Sequence, residues 1–128
     1  MTQDSTKPTL ALRILVVDDE SSVLEAIKMS LEFYGHAVTT CTSGSQALDV
    51  VKTSSFDAVV TDYAMPDING DELAAMIKTV SPRCPIIMVT AHAEMLDHKR
   101  LAPIACVLSK PFLPQALNEA IIDALKHI

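Results

Sequence analysis

Residues 58 to 70 read AVVTDYAMPDING. Ala58 to Thr61 is a short run of apolar and β-branched residues, ended by Asp62 and followed by a loop that Pro66 and Gly70 punctuate. Such continuity suits a strand covered on both faces, as in a parallel sheet, since a half-exposed strand would alternate with polar residues. The same character recurs to either side, at Ile14 to Val17, Ile86 to Val89 and Ala105 to Leu108, with Ala37 to Cys41 a fifth, weaker candidate. Between these runs lie apolar residues at helical spacing: Val23, Ile27, Leu31 and Tyr34, then Ala47, Leu48 and Val51, then Leu73, Ile77 and Val80.

The last segment puts Leu117, Ile121, Ala124, Leu125 and Ile128 on one stripe, with Gln115, Asn118, Glu119, Asp123 and Lys126 on the other side. That pattern predicts a surface helix closing the domain. Glu94 to Leu101 is the weakest helix, with only Met95, Leu96 and Leu101 as large apolar residues, and is expected to be the most mobile element. Gly35 and Pro82 sit where helices should end. Strands alternating with helices, five of each, predict an α/β fold: a doubly wound, five-stranded parallel sheet, since parallel neighbours need crossover connections. Alternation alone leaves the strand order open.

A chain of 128 residues suits one domain, expected over 13–128 behind a poorly ordered polar tail, 1–12. Hydrophobic residues are 49% and charged residues 20%, which excludes a disordered tail or a coiled coil. The net charge of −6 argues against direct nucleic-acid binding, which needs clustered cations. No run approaches the roughly 18 apolar residues of a membrane span, and Met1 to Thr9 lack the apolar core of a signal peptide, so a cytoplasmic location without membrane insertion is expected. Cys41, Cys84 and Cys106 are odd in number and widely spaced, and read as packed, reduced thiols.

In doubly wound sheets, ligands bind beyond the carboxyl ends of the strands. Asp18 and Asp19 follow the first strand, Asp62 the third, Thr90 the fourth, and Lys110 lies just past the fifth. All five should meet on one rim. Three crowded carboxylates repel one another unless a cation or a shared proton offsets them, and among cations Mg²⁺ suits carboxylate, water and phosphoryl oxygens best. Thr90 and Lys110 add the hydroxyl and ammonium that a phosphoryl group needs, and a carboxylate can attack phosphorus to form an acyl phosphate. Asp62 is the expected nucleophile.

With these residues in order, the sequence resembles the receiver domain of bacterial response regulators, from about Arg13 to Ile128. Asp18 and Asp19 match the family's acidic pair. Asp62, Met65, Pro66 and Gly70 match its D-x-x-M-P-x-x-x-G phosphoacceptor motif, Thr90 and Ala91 its Thr-Ala, and Lys110, Pro111 and Phe112 its Lys-Pro-Phe. The resemblance implies the flavodoxin-like strand order 2-1-3-4-5, which the general rule for such folds already illustrates with a receiver protein. It also implies Mg²⁺ held by Asp19, Asp62 and the Ala64 carbonyl, with Asp18 acting directly or through water. Thr90, Lys110 and the backbone N–H groups of Tyr63 and Ala91 would hold the phosphoryl oxygens. The Lys110–Pro111 bond is expected to be cis. The implied function is a two-component phosphorelay switch. It takes a phosphoryl group from a histidine kinase or histidine phosphotransfer protein, signals to a downstream output protein, and loses the group slowly without being an enzyme for an external substrate.

Plainer uses exist for each residue: Thr90 could cap a helix, and Met65, Pro66 and Gly70 could simply shape a loop. His36, His98 and His127 lack metal-ligand spacing and are expected at the surface, whereas His92, two residues after Thr90, could overhang the site and alter phosphoryl lifetime. Val107 departs from the family, many of whose members carry Tyr or Phe there, so the response is expected in residues 91–101 instead. Three alternatives stand. A haloacid dehalogenase-type enzyme would need a D-x-D motif, which Asp18-Asp19-Glu20 does not supply. A degenerate receiver acting as a phosphorylation-independent interaction module would have no need of the full acidic set. A flavin module would place phosphate against Asp18, Asp19 and Glu20. The chain has no space for an output domain, so it is expected to work through partners or to be a fragment.

Overall fold

The computed structural model describes residues 11–91, 93, 96 and 101–127. Five strands, β1 (Arg13–Val17), β2 (Ala37–Cys41), β3 (Ala58–Asp62), β4 (Ile86–Thr90) and β5 (Cys106–Ser109), form one sheet in the order β2-β1-β3-β4-β5. Every neighbouring pair is parallel. Among the described residues there are four helices, α1 (Ser21–Phe33), α2 (Gly44–Thr53), α3 (Gly70–Val80) and α4 (Pro114–Leu125). The fifth expected helix, Glu94 to Leu101, falls mostly outside the described residues, as does His92.

Period-two alternation along β1 separates two cores. Ile14 and Val16 face α1 and α4, packing with Leu24, Ile27, Leu31, Leu117 and Ile121. Leu15 and Val17 face α2 and α3, packing with Val51, Leu73 and Ile77. All four β1 residues are fully buried, so truncating any one to alanine removes contacts on a covered face and costs about 2–4 kcal/mol. With both faces occupied, functional groups are confined to the ends of the strands.

The punctuation follows backbone chemistry. Gly35, just past α1, has φ of 93°, a region that costs glycine nothing. Ser43 accepts from the Gln46 N–H to start α2, and Pro114 occupies the first turn of α4, where no donor is missed. Cys41 and Cys84 are buried and Cys106 is half-buried, all three as free thiols.

Two residues expected at the surface are buried instead. His36 is buried, and so is Asn118, which helical spacing had put on the polar side of α4. The His36 Nε2 and Asn118 Oδ1 atoms lie 2.7 Å apart, and the Leu12 N–H donates to His36 Nδ1 at 3.1 Å. Each group meets the other's hydrogen-bonding need, which is what lets both be buried. Hydropathy patterns score them as polar and cannot see the partnership. Leu12, assigned to the tail, packs against the first core.

Candidate functional site

The acidic residues converge because β1 and β3 are neighbours in register, Val17 opposite Thr61, so the residues that follow reach the same rim. Asp18 still belongs to the ladder: its N–H donates to the Cys41 carbonyl at 3.1 Å, which fixes its side chain on the rim. Asp62 ends β3 opposite Val89 of β4. One carboxylate oxygen from each of Asp18, Asp19 and Asp62 lies within 4.8 Å of the others. Asp18 is fully buried, Asp62 nearly so, and Asp19 is exposed.

Lys110 reaches this cluster from β5. Its N–H donates to the Thr90 carbonyl at 2.8 Å, which sets the residue beside the end of β4. The ammonium then lies 3.3 Å from Asp18 Oδ2 and 3.3 Å from Asp62 Oδ1. Asp18 Oδ1 meanwhile accepts from the Glu20 N–H at 2.9 Å. The Lys110–Pro111 peptide is cis, as expected. Thr90 is buried at the end of β4, and Ala91 beyond it is exposed.

The charges do not balance. Burial pushes the Asp62 carboxyl above its ordinary value; Lys110 pulls it back, and Asp18 raises it further. Lys110 is held above its own ordinary value because, although burial disfavours its charge, Asp18 and Asp62 outweigh that effect. Among the described residues, Lys110 pairs with Asp18 and Asp62 of the three carboxylates. Such a set fits a hard divalent cation, which binds carboxylate oxygens and keeps waters as well.

The Tyr63 N–H donates to the Val89 carbonyl at 3.3 Å, next to the Asp62 carboxylate, whose pKa the Tyr63 backbone lowers slightly against the larger effect of burial. Gly70 packs against the same backbone: its N–H donates to the Tyr63 carbonyl at 2.7 Å, and any Cβ there would collide with the Asp62 carbonyl. The requirement for glycine is steric. Met65 is buried in the α2–α3 core, and Val107 is half-buried in β5 opposite Met88. Sequence reading missed Asp67, whose carboxylate binds the start of α2; only the packing of the loop on that helix reveals it.

A sheet in this order, carrying an acidic cluster and a lysine at its carboxyl end, defines a class, and comparison with known proteins gives it a name. Residues 14–122 match the response regulator receiver domain family, and the chain belongs to that family. It is 34% identical over 116 residues to the transcriptional regulatory protein GlrR of Escherichia coli, covering 89% of this chain and 26% of that protein. It is 37% identical over 131 residues to the virulence sensor protein BvgS of Bordetella pertussis, covering 92% of this chain and 11% of BvgS. The chain thus spans a minor part of the length of each. The crystal structure of the response regulator protein TrrA from Thermotoga maritima in complex with Mg²⁺-BeF superposes with a TM-score of 0.83 at 31% identity, covering 88% of this chain and 98% of that one.

Proposed function

We propose that residues 13–128 act as a phosphoacceptor switch in a two-component phosphorelay, with Asp62 as the acceptor. The observation that carries this reading is the cluster of Asp18, Asp19 and Asp62 within 4.8 Å, with Lys110 at 3.3 Å from two of them. An Asp62 oxygen attacks the phosphorus of a phosphohistidine on a histidine kinase or histidine phosphotransfer protein. The P–O bond forms as the P–N bond breaks, and the imidazole leaves and takes up a proton.

Asp18, Asp19, Asp62 and the Ala64 carbonyl would hold Mg²⁺, which when bound neutralises charge on the transferring oxygens. That the structurally similar TrrA forms a complex with Mg²⁺-BeF supports a divalent ion as a ligand of this fold. Thr90, Lys110 and the N–H groups of Tyr63 and Ala91 would receive the phosphoryl oxygens. The hydroxyl and the ammonium supply its directed bond and countercharge.

A groove of about 400 Å³ between α1 and residues Lys110 to Pro114 opens beside the lysine, with Phe33 and Leu113 exposed near it. It suits the donor protein, which must bring its imidazole to this rim. An output partner would then read the phosphorylated state. No helix among the described residues is long and apolar enough to cross a membrane. We place the domain in the cytoplasm, where such donors and Mg²⁺ are available.

The test is intact-mass measurement after incubation with a small acyl-phosphate or phosphoramidate donor. One added phosphoryl group is expected with Mg²⁺, and none after chelation or in Asp62→Asn. Unchanged labelling of Asp62→Asn would refute the assignment. A mass that never shifts while partners still bind would favour the phosphorylation-independent module.

A further inference from the structure

Asp67 lies in the β3–α3 loop, three residues past Ala64, and its side chain is exposed. Its carboxylate nonetheless takes three hydrogen bonds from the start of α2. Oδ1 accepts from the Gly44 N–H at 3.2 Å, and Oδ2 accepts from the Ser45 N–H at 2.9 Å and the Ser45 hydroxyl at 2.8 Å. The next amide, Gln46 N–H, goes to the Ser43 hydroxyl at 3.2 Å. A helix start leaves its first amides without intrahelical partners, and an adjacent residue usually caps one of them. Here two are capped from a different loop.

Ile68 tightens the same junction, since a Cβ on Gly44 would collide with its side chain. Met65 is buried in the α2–α3 core, and the Gly70 N–H to Tyr63 carbonyl bond closes the loop behind. The segment carrying Ala64 is therefore held between Asp62 and a clamp on α2. An anion at a helix start gains from charge-assisted bonds and from the helix dipole, so the clamp is suited to hold.

We propose that Asp67 is a positioning residue for the metal site: by fastening the β3–α3 loop to α2, it holds the Ala64 carbonyl at the acidic rim. The inference rests on the reading that Asp18, Asp19, Asp62 and this carbonyl hold Mg²⁺. Without the clamp, the carbonyl must be ordered when the ion binds, and that ordering costs affinity.

Amide chemical-shift titration with Mg²⁺, together with thermal unfolding of the metal-free protein, tests it on the native chain, Asp67→Ala and Asp67→Asn. Asp67→Ala is expected to weaken Mg²⁺ binding about 10-fold, in line with residues that orient metal ligands. Asp67→Asn keeps one acceptor oxygen where Asp67 uses two, and loses the charge, so its affinity should fall between those of Asp67→Ala and the native chain. A larger loss in Asp67→Asn than in Asp67→Ala would mean that affinity does not follow the clamp, and would overturn the proposal. So would native Mg²⁺ affinity in Asp67→Ala alongside a lowered unfolding temperature, the mark of a helix cap and nothing more. If the native chain binds no Mg²⁺, the reading of the rim falls and takes this inference with it; if only the variant comparison fails, that reading survives.

Discussion

Two buried polar assemblies, one at each end of the sheet, are built on opposite terms. At the base, His36 Nδ1 accepts from the Leu12 N–H, which leaves Nε2 to donate to Asn118 Oδ1, so the ring is neutral and its needs are met. At the rim, Asp18, Asp19 and Asp62 crowd together, Asp18 and Asp62 share Lys110, and Asp62 is held above its ordinary carboxyl value chiefly by burial. Both assemblies are hydrogen-bonded: among the described residues no buried side-chain nitrogen or oxygen lacks a partner. What separates them is charge. The base is complete in itself and serves the fold, whereas the rim carries negative charge that the fold does not require, as expected of a site awaiting a cation.

Breaking the base should have the larger effect on stability. His36→Ala leaves Asn118 and the Leu12 N–H without their partner and opens a void, an expected loss of about 2–3 kcal/mol in urea denaturation. Mg²⁺ binding and phosphoryl acceptance should be unchanged, since both act at the other end of the strands. A matching loss of Mg²⁺ affinity would mean that the two ends are coupled.

Lys110→Ala attacks the rim. Removing the ammonium leaves Asp18 and Asp62 facing each other, with an expected cost of about 1–2 kcal/mol in the metal-free protein, moderated because the lysine is partly solvated. Mg²⁺ binding should persist, because an ammonium cannot ligate a cation, while the conformational response to phosphorylation is largely lost. Collapse of metal affinity with the fold intact would contradict that division of roles.

The smallest effect sharpens the comparison through pH. Asp62 has a raised folded value, so the native state binds more protons than the unfolded chain just above the ordinary carboxyl range. Its contribution is full below the unfolded value and is lost as pH rises through the folded one. Asp67 works in the opposite direction: bonds from Ser45 lower its value, so its contribution is present above the unfolded value and is lost as pH falls through the folded one. Metal-free unfolding across this range should therefore lose its alkaline-side decline in Asp62→Asn and its acid-side decline in Asp67→Asn.

Most of the fold was legible because the β1, β3 and β4 runs are buried on both faces and admit little but apolar residues, leaving the strand ends to announce themselves as Asp18, Asp62 and Thr90. The strand order was not in that pattern; it came from the resemblance. His36 and Asn118 were misplaced because they are 82 residues apart and each looks polar until the other is known. Asp67 was overlooked for a related reason, since its partners Gly44 and Ser45 lie 23 and 22 residues earlier. Long-range hydrogen bonds leave no periodic trace in a sequence.

The central claim is that the surplus charge at the rim exists to make Asp62 a phosphoacceptor, and residue-level mapping tests it most directly. After reaction with a small phosphodonor and Mg²⁺, borohydride reduction of the acyl phosphate followed by tandem mass spectrometry should mark Asp62 alone, as homoserine. A mark on Asp18 or Asp19, or no mark at any of the three with Mg²⁺ bound, would contradict the account.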